Sequence, residues 1–180
     1  MKKISLVIAF FAIGIFSSNA QVLKFGVKAG VNFSSLEGDN IEALDTYTSF
    51  HFGGLLEVKL LENFSIQPEL LYSSQGAKVD VAGLEDINYN YITVPVLAKF
   101  YLISEKLSIE AGPQFAFLIN EDVPDQFETE SFDFAAVGGL GLNLTDHILV
   151  QARYVLGLTE ADKEAEVTNR VIQLSVGYRF

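Results

Sequence analysis

Apolar and polar residues alternate along most of this chain. The stretch "GLLEVKLLENFSIQPELLY" (residues 54–72) shows the pattern, with Glu57, Lys59, Gln67 and Glu69 at every second position among leucine, valine and isoleucine. A period of two marks strands with one apolar and one polar face. Along the whole chain it predicts eight strands: Leu23–Phe33, Phe50–Leu61, Phe64–Gln75, Tyr89–Leu102, Leu107–Ile119, Phe132–Leu144, Ile148–Leu158 and Arg170–Phe180. Most reach the roughly 9–11 residues that a tilted strand needs to cross a bilayer. Long polar connections at 34–49, 76–88, 120–131 and 159–169 alternate with tight turns at 62–63, 103–106 and 145–147. Long loops at one end and short turns at the other is the order of an up-and-down membrane barrel. The expected fold class is therefore all-β, an eight-stranded antiparallel up-and-down transmembrane β-barrel.

Periodicity alone does not say which face points out. One face carries Phe25, Val27, Val31, Phe52, Leu56, Leu70, Phe100, Ile109, Leu140, Ile172, Leu174 and Val176. The other carries Lys24, Lys28, Asn32, Glu57, Lys59, Gln67, Glu69, Lys99, Glu110, Gln114, Asp133, Asn143, Gln151, Arg153, Gln173 and Arg179. A soluble, lipocalin-like barrel would put the charged set outside, and three features argue for the reverse. Gly26, Gly30, Gly53, Gly112, Gly139, Gly141 and Gly177 all fall on the polar face, and glycine belongs where space is short, as inside a narrow eight-stranded barrel. Aromatic residues gather at both strand ends: Phe33, Phe50, Phe52, Tyr72, Tyr91, Phe115, Phe117, Phe132 and Phe134 by the long loops, and Phe25, Phe64, Phe100, Tyr101, Tyr178 and Phe180 by the short turns. Two such belts fit a barrel in a bilayer. The chain also stops on "SVGYRF", an apolar aromatic ending in which Tyr178 and Phe180 are expected to serve as the assembly signal read by barrel-assembly machinery.

Other features narrow the setting. Lys2 and Lys3 precede an apolar run, Ile4–Phe16, and Ser18, Asn19 and Ala20 end in the small residue signal peptidase prefers. Residues 1–20 are thus expected to be a signal peptide cleaved after Ala20, with residues 21–180 forming the barrel domain and Gln21 as the first mature residue. Composition is 49% hydrophobic and mean hydropathy is +0.29, yet beyond residue 20 no apolar run reaches the ~20 residues of a membrane helix. A net charge of -11 argues against a nucleic-acid partner. With no cysteine and two histidines, neither a disulfide framework nor a metal centre is expected, and no cofactor is implied.

With the polar face inside, its charges must pair, because isolated buried charge is very costly. The expected interior ionic network is Lys28, Glu57, Lys59, Glu69, Lys99, Glu110, Asp133, Arg153 and Arg179, with Lys99 and Glu110 near the same short turn as a pair. Mixed sign and near balance suit a packed plug better than an ion-selective pore, and eight strands leave no open lumen.

The segments "LKFGVKAGVNFSSL", "FSIQPELLYSSQGAK", "YITVPVLAKFYL", "LSIEAGPQFAFL" and "ILVQARYVLGLTE" closely resemble the PorT-like outer-membrane β-barrel family of Bacteroidota. The resemblance covers essentially the whole mature chain, and Ile92–Leu97 and Glu110–Pro113 are its most specific parts. It implies an eight-stranded outer-membrane barrel, and little about activity. The namesake acts in type IX secretion and gliding, a role that no residue here transfers.

Two classes of function follow. One is a non-enzymatic structural or interaction barrel, accessory to secretion or envelope integrity, whose partners are outer-membrane lipid, the assembly machinery and an extracellular or periplasmic protein. The other is an outer-membrane enzyme acting on lipid or peptide at the extracellular rim, for which His51, Ser73 and Asp133 could supply base, nucleophile and orienting group. His147 reads as a turn residue. The long loops are acidic, with Glu37, Asp39, Glu42, Asp45, Glu121, Asp122, Glu128 and Glu160 among their carboxylates, which suits cation bridging, a basic partner or simply a solvated rim. Their spacing matches no EF-hand. Pro68, Pro95 and Pro113 fall inside strands, where they are expected to mark bulges or weak pairing.

Overall fold

The computed structural model describes residues 23–37, 47–77, 87–103, 105–122, 132–158 and 168–180. The expected signal segment, its cleavage point and most of the acidic loop residues lie outside them. The described residues form eight strands: β1 (Leu23–Glu37), β2 (Tyr47–Leu61), β3 (Phe64–Ala77), β4 (Ile87–Ile103), β5 (Leu107–Asp122), β6 (Phe132–Asn143), β7 (Ile148–Gly157) and β8 (Thr168–Arg179). Each pairs antiparallel with its sequence neighbour, and β8 pairs with β1 to close the barrel.

Several strands run past the expected ends by two to four residues on the long-loop side: β1 reaches Glu37, β5 reaches Asp122, and β8 begins at Thr168. Once a strand leaves the apolar band, its outer face need not be apolar, so alternation fades while ladder hydrogen bonds continue. The bulges fall at Lys59/Leu61, Asn90/Tyr91 and Tyr101/Ile103, and none at the three strand prolines.

The apolar face is outside. Phe25, Leu70, Val176 and Phe180 are more than half exposed, while Lys28, Glu69, Lys99 and Glu110 are 4% exposed or less. Aromatic contacts mark both ends. Phe52 lies 5.3 Å from Tyr72, and Phe115 lies 5.4 Å from Phe134, toward the long loops. At the short turns Phe64 meets Phe100 at 5.0 Å and Phe25 meets Phe180 at 5.2 Å. Tyr101 does not belong to this belt. It shares the inward parity of Lys99, is 9% exposed, and donates its hydroxyl to Glu57.

Polar-face glycines occupy positions where the neighbouring wall leaves no room. A Cβ on Gly26, Gly53 or Gly112 would collide with a backbone carbonyl of the adjacent strand, whereas one on the outward Gly138 meets nothing within 4 Å. A Cβ on Gly30 would strike the Leu174 carbonyl and also the His51 imidazole, whose Cε1 would lie 2.6 Å away.

The interior is layered. One inward row contains Lys99, Glu110, Gly139, Arg153 and Gln173, cross-strand neighbours in succession from β4 to β8. Two residues farther toward the long loops on each of these strands lie Leu97, Gly112, Val137, Val155 and Val171. Leu97, Val137, Val155 and Val171 pack with Ala135 into a buried apolar cluster. Charge therefore fills the short-turn side of this wall and an apolar layer sits directly above it. Alternation predicts a polar inner face, yet Leu55, Leu71, Leu97, Val137, Leu149, Val155 and Val171, all 4% exposed or less, line it as well. In runs such as Val94–Leu97 both faces are apolar, and no alternation remains to reveal the inner one.

Candidate functional site

The central feature is a chain of seven buried charges contributed by seven strands. Lys28 (β1) contacts Glu69 (β3) at 3.2 Å. Arg153 (β7) clamps Glu69 with both guanidinium nitrogens, each at 2.8 Å, and reaches Glu110 (β5) at 2.8 Å. Glu110 lies 3.4 Å from Lys99 (β4), which lies 3.5 Å from Glu57 (β2). Glu57 ends the chain on Arg179 (β8) at 2.8 Å. Neutral side chains add further hydrogen bonds. Gln151 donates to both Glu110 oxygens at 2.9 and 3.0 Å and accepts from Lys28 at 3.0 Å. Gln67 donates to Glu69 at 2.5 Å and accepts from Lys99 at 2.9 Å.

The alternation of sign along this chain is what makes seven buried charges tolerable. Each carboxylate touches at least two cations, and charge-assisted hydrogen bonds of this kind are the strong ones. Four cations meet three carboxylates, leaving one formal positive charge, and Lys28 stands at the end of the chain beside a carboxylate already held bidentately.

Two residues expected in the network stand apart from it. Lys59 is at the short-turn mouth, where it pairs with Glu105, and Lys24 lies 3.9 Å from the same carboxylate. Glu105 occupies the β4–β5 turn with φ 60°, and the hydrogen bond from Lys59 holds its carboxyl below the usual carboxylate range. Asp133 opens β6 opposite Ala116, six residues from Gly139, the strand's contact point with Glu110. At ~3.3 Å per residue that places it about 20 Å along the strand, at the long-loop end. The parity of both residues was legible, but their height was not, because barrel tilt and register set it. Tyr101, Gln67 and Gln151 belong to the network without having been assigned to it. Tyr101 could have been found from its odd parity with Lys99.

His51 and Ser73 are cross-strand partners on β2 and β3, but both His51 ring nitrogens are taken by other residues. His51 Nδ1 is 2.7 Å from Asn32 Oδ1, and Nε2 is 2.8 Å from Ser175 Oγ. Asn32 Nδ2 donates to the Ser74 carbonyl at 2.8 Å and to Ser73 Oγ at 3.1 Å, so its Oδ1 faces the imidazole and His51 Nδ1 must be the donor. Ser175, His51 and Asn32 stand in the order nucleophile, base and orienting group, but they are 5%, 1% and 0% exposed. His147 sits at the β7 turn, where its carbonyl accepts the Arg179 N–H at 2.7 Å, its Nδ1 lies 2.9 Å from the Arg179 carbonyl, and its ring stacks on Tyr178 at 5.6 Å. Among the described residues no group of three or more potential ligands could hold a metal ion. Grooves of about 610 and 650 Å³ lie on the outer wall, the first over β1, β2, β7 and β8 and the second over β1 and β5–β8, lined by residues such as Ala29, Phe52, Ala152 and Val176.

Residues 18–163 match the family described as outer membrane protein beta-barrel domain. Among solved structures, the attachment invasion locus protein Ail of Yersinia pestis is similar with a TM-score of 0.59 and 17% identity, over 87% of this chain and 98% of that one. Neisserial surface protein A is similar with a TM-score of 0.59 and 13% identity, over 87% and 97%. The outer membrane protein OprG from Pseudomonas aeruginosa gives 0.50 and 13%, over 88% and 94%. At these identities the likeness is one of fold. No curated protein matches the chain in sequence.

Proposed function

The chain belongs to the outer membrane protein beta-barrel domain family and resides in the outer membrane, and from that premise we propose that it is a non-enzymatic barrel with a sealed interior, serving a structural or interaction role as an accessory to secretion or envelope integrity. The observation that carries this reading is the seven-charge chain from Lys28 to Arg179, capped on the β4–β8 side by the cluster of Leu97, Ala135, Val137, Val155 and Val171. A lumen filled in this way offers ions no continuous water path, so the parts free to act are the outer wall, the rims and the acidic loops. The finer assignment, to the PorT-like barrels of Bacteroidota, rests on segments such as Ile92–Leu97 and Glu110–Pro113.

The interior claim is tested in planar bilayers, where the purified protein should give no stable large conductance. Reproducible nanosiemens-scale channels would sink it. The accessory role is tested by deleting the gene in the native host and measuring secreted protein and detergent sensitivity. Unchanged secretion together with an intact permeability barrier would count against it.

A further inference from the structure

Five of the eight strand pairs run without a break in their ladders: β1–β2, β8–β1, β5–β6, β6–β7 and β7–β8. Apart from the bulges at Lys59/Leu61, Asn90/Tyr91 and Tyr101/Ile103, the other three each contain one gap, at mid-strand. The β2–β3 ladder steps from Leu55↔Glu69 to Val58↔Ile66, omitting Leu56 and Glu57 opposite Pro68 and Gln67. The β3–β4 ladder steps from Pro68↔Val96 to Leu71↔Thr93, omitting Glu69 and Leu70 opposite Pro95 and Val94. The β4–β5 ladder steps from Pro95↔Gln114 to Ala98↔Ala111, omitting Val96 and Leu97 opposite Pro113 and Gly112. Every gap holds one proline, and each of these prolines keeps its register with the strand on its other side. Proline has no N–H, so the facing carbonyls of Leu56, Glu69 and Val96 receive no ladder bond from it. The gaps lie on consecutive strand pairs and form a diagonal seam across the β2–β5 wall, at a depth where lipid offers no replacement donor.

Side chains on the inner face cross this seam where the backbone does not. Lys99 projects from β4 between the gaps. Its Nζ is 2.9 Å from Gln67 Oε1 on β3, 3.4 Å from Glu110 on β5 and 3.5 Å from Glu57 on β2. One ammonium thus ties together all four strands that border the three gaps. Arg153 reinforces it from β7 by holding Glu69 of β3 and Glu110 of β5, each at 2.8 Å.

We propose that Lys99 is the latch of a seam along which this barrel opens. The β2–β5 wall is held shut by the side-chain cluster more than by its ladder. When Lys99 lets go, the wall parts along the proline diagonal and water reaches the ion network, while the continuous β5–β6–β7–β8–β1–β2 wall stays paired.

Amide hydrogen exchange of the full barrel in lipid vesicles, read by peptide mass spectrometry, tests this. In Lys99→Met, exchange in 66–71, 94–98 and 111–114 should rise by about tenfold or more, while 150–154 and 172–176 stay near their original rates. Adding Pro113→Val restores a donor opposite Val96 and should slow exchange in 94–98 and 111–114 again. A rise spread evenly over all strands, no rise, or no effect of Pro113→Val overturns the proposal. Should Lys99→Met fail to assemble, Pro113→Val in the otherwise unchanged chain carries the test: slower exchange in those two segments supports the seam, and unchanged exchange overturns it.

Discussion

At the scale of single residues, the interior charges are valued by what each removal strands. Lys99 and Glu110 face each other across β4 and β5, with their charged atoms 3.4 Å apart. Removing one partner of such a buried pair typically costs about 3–5 kcal/mol, because the other is left uncompensated. In a double-mutant cycle of Lys99→Met and Glu110→Gln, read by urea unfolding in lipid vesicles, the double change should cost less than the sum of the singles. Strictly additive effects would show that the two charges are not coupled. Lys28 is the exception in the chain. Its partner Glu69 keeps Arg153 at 2.8 Å on both oxygens, and losing Lys28 leaves three cations facing three carboxylates. Lys28→Met should therefore cost under about 2 kcal/mol, whereas Glu69→Gln, which leaves Lys28 with no carboxylate and Arg153 with Glu110 alone, should cost about 3–5 kcal/mol. The same unfolding experiment checks the order, and a reversed order would remove Lys28 from its terminal place.

At the scale of strands, the backbone decides what the side chains can do. Gly112 and Gly138 are neighbours of the β5–β6 pair, one facing in and one facing out. A Cβ on Gly112 would strike the Val96 carbonyl, while one on Gly138 enters open space. Gly112→Ala should destabilise by about 1–3 kcal/mol through overpacking, and Gly138→Ala should be neutral or stabilise by up to about 1 kcal/mol by narrowing the unfolded ensemble. Equal effects in vesicle unfolding would refute the inward placement of Gly112. The end of β8 closes the barrel. The Phe180 N–H donates to the Phe25 carbonyl at 2.9 Å, and its ring contacts Phe25 at 5.2 Å and Tyr178 at 5.3 Å. Deleting Phe180 removes these contacts at the β8–β1 seam. The folded, heat-modifiable fraction on gels should fall, and an unchanged fraction would speak against a closing role for Phe180.

At the scale of the whole molecule, the decisive property is that the apolar face is outside. Leu174, midway along β8, is 46% exposed on the outer wall, while its neighbour Gln173 is 3% exposed inside. A charge on the lipid face near mid-membrane costs about 2–4 kcal/mol, so Leu174→Lys should lower vesicle stability by that amount while Leu174→Ile changes little. A harmless Leu174→Lys would mean that this wall does not face lipid.

The sequence by itself determined that wall. Alternation placed eight strands within a few residues of their observed positions, and glycine parity and aromatic placement argued which face is inside. It also named Lys28, Glu57, Glu69, Lys99, Glu110, Arg153 and Arg179 as inward, because parity is a local property of a pleated strand. What it did not hold was height. Lys59 and Asp133 share that parity yet stand at opposite mouths, because register and tilt turn sequence position into depth only once the barrel closes. Tertiary structure likewise decided that Leu97, Val137, Val155 and Val171, from four different strands, form one layer above the charges. The three prolines were visible as weak points in separate strands. That they align into one seam, and that Lys99 reaches across it, follows from the ladders between β2 and β5, and no single strand carries that information.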